Sequence, residues 1–302
     1  MRRWEDIRQS WLDYIPRHDP PWPVPEHEIH ELPSLAAELK ALVDVDSRAT
    51  KRNVDRETIE YEVEGLRVGV LLQANHLVFK AAHVLRAMAA ESNAGYRTWS
   101  RSSAYQSAVF ASQGILALLG VVLIPESRKR DYQIDIWAPR RKAAAPNESL
   151  FAVRIIPRPF AGHKGLWSLF HHVLCATKVD QRVWPHAGND ILKKLDTADF
   201  YGIRHRLHYR VTGWLYDDMT DVSVREDLST LAEDVLGLFY LDKPEDGRFP
   251  VSLALHLLSL ALALLTSLGT EEPKVSTEAE RVRQWMEGSP WGCANVFELR
   301  RT

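Results

Sequence analysis

The chain has 302 residues, of which 45% are hydrophobic and 26% are charged, and its formal net charge is −2. That length is enough to bury a large core, in one domain or in two smaller ones. The mildly acidic balance argues against a protein that coats nucleic acid non-specifically, although it is compatible with a local basic patch. Cys175 and Cys293 are far apart and lack metal-type spacing, which predicts a reducing, cytoplasmic setting without a structural disulfide.

The N-terminal part, residues 1–60, is expected to pack on the main body of the protein. Residues 2–15 are predicted to form a short helix because apolar side chains recur on one side. The stretch Pro16–Pro33 is too rich in proline for a helix and predicts an extended segment that drapes over the body or acts as a tether. A second short helix is predicted over Leu35–Val43. The apolar side of the first helix comprises Trp4, Ile7, Trp11 and Ile15.

Two long helices are predicted next. Leu66–Glu91 has apolar residues at helical spacing. His76 and His83 are interpreted as histidines of the core or its edge, and Arg86 as simply adjacent to them in the helix. Ser100–Leu119 is rich in small residues, which allow another helix to approach closely. These small residues are Ser103, Ala104, Ser107, Ala108, Ala111, Ser112 and Gly114.

The hydrophobic period then changes to that of strands. Apolar and polar residues alternate along Tyr132–Trp137, and Phe151–Ile156 is rich in β-branched and aromatic residues. Both segments are therefore predicted to be strands. The proline-containing stretch Ala138–Leu150 is predicted to be the loop between them. We therefore expect a β-hairpin or small sheet, about residues 131–157, inserted between helices. The nearby basic run Arg128–Arg130 is interpreted as a solvated loop.

Further helices complete a body that spans residues 61–302. They are predicted over 165–178, within 189–217, and over Val224–Phe239, Val251–Leu268 and Thr277–Met286. Val251–Leu268 is almost continuously apolar and is interpreted as a buried core helix in preference to a membrane span. The predicted fold class is mainly α, a helical bundle with a small inserted β-hairpin or sheet.

The stretch Asp199–Arg210 concentrates the most chemistry in the sequence. Arg204 and His208 are one helical turn apart, so a guanidinium stands beside an imidazole. Such a pair suits acid–base work on a phosphodiester, with the Arg binding the phosphate and the His moving a proton. The same pattern also fits an ordinary exposed face of an amphipathic helix. Tyr201, Arg204, His205 and His208 share one flank of the predicted helix.

No motif in the sequence predicts a cofactor or a metal. The chain lacks Gly-x-Gly-x-x-Gly, the phosphate-binding Gly-x-x-x-x-Gly-Lys-Ser/Thr, Gly-x-Ser-x-Gly and His-Glu-x-x-His. The run Glu26–Glu31 contains two histidines, but it lies between prolines and no cysteine is near it. We therefore expect neither a cofactor nor a bound metal.

Three separated stretches, in this order, resemble the HEPN domain superfamily. They are Arg101–Gly120, with its Tyr105 and Phe110, His163–Phe170, which begins His-Lys-Gly, and Ile203–Tyr209. The resemblance covers roughly residues 66–220. It implies a helical bundle, commonly a homodimer, in which Arg and His side chains meet in a cleft. Many members are metal-independent RNases of toxin–antitoxin, phage-defence or RNA-processing systems.

The resemblance implies roles for individual residues. Arg204 would grip the scissile phosphate and His208 would act as general acid or base, with His205, Tyr201 and Tyr209 in support. Only three residues separate Arg204 from His208, one fewer than the family's Arg-x(4–6)-His pattern. The alternative is therefore a catalytically inactive scaffold or a nucleotide- or protein-binding module. The implied partners are RNA, an antitoxin or defence protein and a second copy of the chain, without a membrane.

Overall fold

A computed structural model describes residues 2–15, 59–62, 66–127, 130–136, 150–159, 162–179, 249–271 and 273–288. In this part the protein is mainly α-helical and carries a small antiparallel sheet, as the sequence predicts. The described helices are α1 (Trp4–Tyr14), α2 (Leu66–Asn93), α3 (Arg97–Leu118), α4 (Gly162–Thr177), α5 (Phe249–Leu268) and α6 (Pro273–Gly288). The strands are β1 (Ile59–Glu62), β2 (Val121–Ser127), β3 (Arg130–Asp135) and β4 (Leu150–Pro159).

Helices α2 and α3 form an antiparallel hairpin, and its close packing depends on the small residues of α3. A Cβ atom added at Gly114 would lie 3.0 Å from Cγ2 of Val78 and 3.4 Å from the carbonyl oxygen of Ala74. Seven residues earlier, the Ser107 hydroxyl donates to the Ala81 carbonyl at 2.7 Å. The predicted close approach of another helix to this face is therefore confirmed.

Helix α5 lies in the core. Its side chains from Leu253 to Leu262 are all buried, and the interpretation as a core helix is confirmed. In the described part of the chain, a different segment, Arg67–Ser92 of α2, is long and apolar enough to cross a membrane by length and composition alone. In the most apolar part of this segment, 56% of the residues are buried inside the protein, and such burial is common for the core helices of globular proteins.

Helix α1 docks on the ends of α2 and α3. Trp11 is fully buried, and its indole N–H donates to the Leu118 carbonyl at 3.0 Å. That carbonyl belongs to the last turn of α3, where carbonyls have no partner within the helix. Arg67 lies over the Trp11 ring, 5.9 Å from its centroid, and donates to the Ser10 carbonyl at 2.9 Å. The predicted apolar side of α1 thus faces the body of the protein.

The sheet has the order β1-β4-β3-β2, and every neighbouring pair is antiparallel. The predicted hairpin is confirmed by the pairing of β3 with β4, in which Ile134 lies opposite Ile155. Strands β1 and β2 were not predicted, because β1 has four residues and β2 opens with an apolar run that does not alternate. Gly120, with φ +78°, turns the chain from α3 into β2.

Several predicted elements lie outside the described residues. They are the proline-rich segment, the helix over Leu35–Val43, the helix within 189–217 and the helix over Val224–Phe239. The division into residues 1–60 and 61–302 stays a prediction.

Candidate functional site

The predicted catalytic stretch is not among the described residues. Arg204, His208, His205, Tyr201 and Tyr209 all lie outside them, and their roles stay predictions. The other two stretches that resemble HEPN domains are described, and they contact each other between α3 and α4.

The strongest candidate site in the described part of the chain is built on one buried carboxylate. Glu278 of α6 is 2% exposed, and its Oε1 lies 3.1 Å from Nδ1 of His83 on α2. Its Oε2 lies 3.1 Å from Nη1 of Arg86 and 3.1 Å from Nη1 of Arg281. We call these four residues the Glu278 cluster.

Helical spacing places the members of the Glu278 cluster. His83 and Arg86 are three residues apart on α2, and Glu278 and Arg281 are three apart on α6, so each pair lies on one helix face. Phe79, one turn before His83, stacks on the imidazole with ring centroids 6.0 Å apart and an interplanar angle of 15°. The imidazole is thus oriented from two sides.

Helix α6 packs against α2, and three apolar residues near Glu278 in the sequence of α6 are buried. They are Val275, Ala279 and Val282.

The hydrogen bond to Glu278 assigns the tautomer of His83. A carboxylate oxygen only accepts, so Nδ1 of His83 donates and Nε2 is left as the nitrogen that can accept a proton. The His83 side chain is 54% exposed, and those of Arg86 and Arg281 are 39% and 56% exposed. One carboxylate against two guanidiniums leaves an excess of positive charge. The cluster therefore combines an oriented, accessible imidazole with two guanidiniums, which are chemically suited to binding an anion such as a phosphate.

A second cluster joins Arg101–Gly120 of the α3 region to His163–Phe170 of α4. Trp167 of α4 donates its indole N–H to the Tyr105 hydroxyl of α3 at 2.9 Å. Since that hydroxyl accepts from Trp167, its own proton is available for Nδ1 of His163, which lies 3.2 Å away. The Tyr105 and His163 rings also stack, with centroids 5.6 Å apart. Tyr105 is 1% exposed and Trp167 is fully buried, so this cluster packs α4 on α3 and presents no accessible reacting group beyond His163.

Metal-binding geometry is absent from the residues that the structure describes. No group of three or more His, Cys, Asp or Glu side chains there could hold a metal ion. The exposed Cys175 has its Sγ 3.6 Å from Nε2 of His171, one turn away on α4, which is only a pair.

Comparisons with protein-family models, with curated proteins and with solved structures found no match for this chain.

Arg86 was expected to be simply adjacent to His83, but it shares a partner with that histidine. The two side chains share Glu278, which lies 195 positions from His83. The spacing of His83 and Arg86 on one helix was readable, but a buried partner so distant in sequence has no local pattern. The available signal was the position of Glu278, three residues after Val275 and four before Val282, which places a carboxylate on the apolar side of a predicted helix.

Proposed function

We propose that this protein is a metal-independent endoribonuclease of HEPN type, acting in a toxin or defence system. The observation that carries the proposed chemistry is the Glu278 cluster, which holds an imidazole and two guanidiniums together at the surface. The HEPN type and the toxin or defence setting rest on the sequence resemblance, which does not include Glu278 or Arg281. RNA contains its own nucleophile, the 2′-hydroxyl. Its cleavage therefore needs a base and a cationic phosphate site, and no metal.

In this proposal, each member of the Glu278 cluster has one role. Nε2 of His83 takes the proton of the 2′-hydroxyl as O2′ attacks phosphorus, and the bond from phosphorus to O5′ breaks. Water protonates the leaving O5′, and the products are a 2′,3′-cyclic phosphate and a 5′-hydroxyl. Arg86 and Arg281 bind the non-bridging oxygens, and Glu278 positions the imidazole.

The proposal has two competing assignments of the catalytic pair. One is His83 with Arg86, and the other is the predicted pair of Arg204 and His208. Cleavage of a panel of structured RNAs in EDTA, by the wild type, His83→Asn and the Arg204→Ala/His208→Ala double variant, separates them. We expect wild-type cleavage to survive EDTA and His83→Asn to lower the rate at least about 100-fold, the usual effect of losing a general base.

The matched control is His172→Asn, since His172 is an exposed histidine on α4. It should cut like the wild type. Loss of cleavage only in the double variant would move the active site to Arg204 and His208. Absence of cleavage by the wild type would overturn the nuclease proposal.

A second candidate function is a catalytically inactive HEPN-like scaffold, or a module that binds a nucleotide or a protein. The nearly complete burial of Glu278 favours it, because a buried carboxylate that links α2 to α6 also serves purely as a structural contact. This candidate predicts no RNA hydrolysis, and a homodimer or a stable complex with an antitoxin or defence component in the cytoplasm. Nucleotides that raise the melting temperature would support the nucleotide-binding version.

A further inference from the structure

The outward face of the α2–α3 hairpin carries a lysine and two histidines along α2, and aromatic and carboxamide side chains along α3. We propose that this face binds single-stranded RNA, with the phosphate backbone along α2 and the bases on α3. The inference rests on the proposed function and extends it from the Glu278 cluster to the path of the substrate. We call this surface the hairpin face. Its rows comprise His76, Lys80 and His83 on α2, and Trp99, Gln106, Phe110 and Gln113 on α3.

Two contacts show that the rows lie side by side. Nζ of Lys80 lies over the Phe110 ring, 5.8 Å from its centroid, so the exposed side of α2 borders the outer side of α3. The hydrogen bond from Ser107 to the Ala81 carbonyl sets the antiparallel alignment. Trp99 precedes Ser107 by two helical turns, which places it roughly 12 Å further toward the C-terminal end of α2. His83 lies about 3 Å beyond Ala81 on the same scale, so Trp99 is displaced from His83 by roughly 9 Å along the hairpin axis.

The charge of α2 suits a polyanion. Glu91 is the single carboxylate in the sequence of α2, which also carries Lys80 and Arg86, and Glu278 of α6 is buried beneath the cations it binds. His76 and His83 are two turns apart, roughly 10 Å along the axis. Successive phosphates of an extended strand can therefore contact the row and reach the Glu278 cluster.

The aromatic end of the face supplies stacking surfaces. Tyr96 and Trp99 are 50% and 49% exposed, and they are the exposed large hydrophobic side chains of the described residues. On α2, the exposed stripe continues beyond His83 with Ala87 and Ala90. Their small side chains project little from the helix surface between the Glu278 cluster and the exposed Tyr96 and Trp99. Exposed aromatic rings beside a basic row are the usual platform for unpaired bases.

The other end of the hairpin face contains a small recess. It has a volume of about 70 Å³ and is lined by Gln73 and Leu77 of α2, Gln113 of α3 and Val122 of β2, among others. Two carboxamides provide donors and acceptors at an apolar wall, which suits the edge of an unpaired base. A duplex would hide the base faces and the Watson–Crick edges, so the arrangement favours a single strand.

Binding of a non-cleavable strand tests the face separately from catalysis. A fluorescent 2′-O-methyl oligoribonucleotide lacks the nucleophile, so its affinity for the full chain can be measured by anisotropy at several salt concentrations. We expect Trp99→Ala to weaken binding roughly tenfold through lost stacking. Lys80→Ala should weaken it about threefold and lower the salt slope by about one. Trp99→Phe should recover most of the loss.

The control is Lys164→Ala, which removes an exposed lysine from α4 and should leave the affinity unchanged. Wild-type affinity in both Trp99→Ala and Lys80→Ala would overturn the inference, even if the enzyme cuts RNA. Equal affinity for a 2′-O-methyl duplex would also overturn it, because the face would then bind any polyanion. Binding of the single strand with the expected losses, but without cleavage of ordinary RNA, would support the face and reject the nuclease proposal.

Discussion

Nδ1 of His83 lies 3.1 Å from Oε1 of Glu278, although 195 positions separate the two residues in the chain. The same carboxylate contacts Arg86 of α2 and Arg281 of its own helix. One buried anion therefore orders three partly exposed cationic or titratable side chains at the contact between α2 and α6. Stability and any chemistry at this site are consequently coupled through Glu278.

Glu278→Gln should destabilise the protein. The amide cannot accept from all three donors, and its own N–H₂ group would face a guanidinium. Because the cations are partly exposed and can turn to water, we expect a loss of about 1–3 kcal/mol in the free energy of unfolding. Urea unfolding followed by circular dichroism measures it. Glu280→Gln, at a less buried carboxylate on the same helix, is the matched control and should stay within about 0.5 kcal/mol of the wild type. Equal midpoints for the two variants would contradict the prediction.

Tyr105→Phe should weaken the contact between α3 and α4. The change leaves the fully buried indole N–H of Trp167 without its acceptor, the Tyr105 hydroxyl. An unsatisfied buried donor costs about 1–3 kcal/mol, and we expect a loss of that size in unfolding free energy. Adding Trp167→Phe should give less than the sum of the two single losses, since the orphaned donor is then removed. Tyr96→Phe, at an exposed tyrosine, is the control and should be neutral. Additive losses in the double variant would argue against the bond.

Gly114→Ala should be destabilising despite the higher helix propensity of alanine. Its Cβ would meet Cγ2 of Val78 at 3.0 Å, and Val78 is fully buried and stiff at χ1. We expect overpacking to lower the free energy of unfolding by about 1–2 kcal/mol, after the gain in helix propensity from alanine is subtracted. In a Val78→Ala background the same change should become neutral or stabilising, because the opposing methyl groups are gone. A melting temperature above that of the wild type would contradict the prediction, because it would show that α2 and α3 can move apart without loss of stability.

The helices were largely predictable because their signal is local. The expected helix over Leu66–Glu91 matches α2, Leu66–Asn93, and the expected helix over Ser100–Leu119 matches α3, Arg97–Leu118. Apolar residues that recur every three or four positions specify a buried face whatever it packs against. The strand β2 escaped prediction since its apolar run directly follows a helix and does not alternate.

The candidate site was much less predictable. The chemistry expected at Arg204 and His208 concerns residues that the structure does not describe, and it stays a prediction. The Glu278 cluster uses the same pairing of imidazole and guanidinium, at His83 and Arg86. Its sequence signal was weak because a histidine and an arginine on one helix face are common at protein surfaces.

By itself, the sequence determined the mainly α fold class, the long helices, the buried character of α5 and the small-residue face of α3. Only the tertiary structure decided that Glu278 would be the partner of His83 and that Tyr105 would accept from Trp167. The physical reason is the range of each signal. Helix formation and amphipathicity depend on neighbours within a few turns, whereas the partner of a buried polar group depends on which helices pack together.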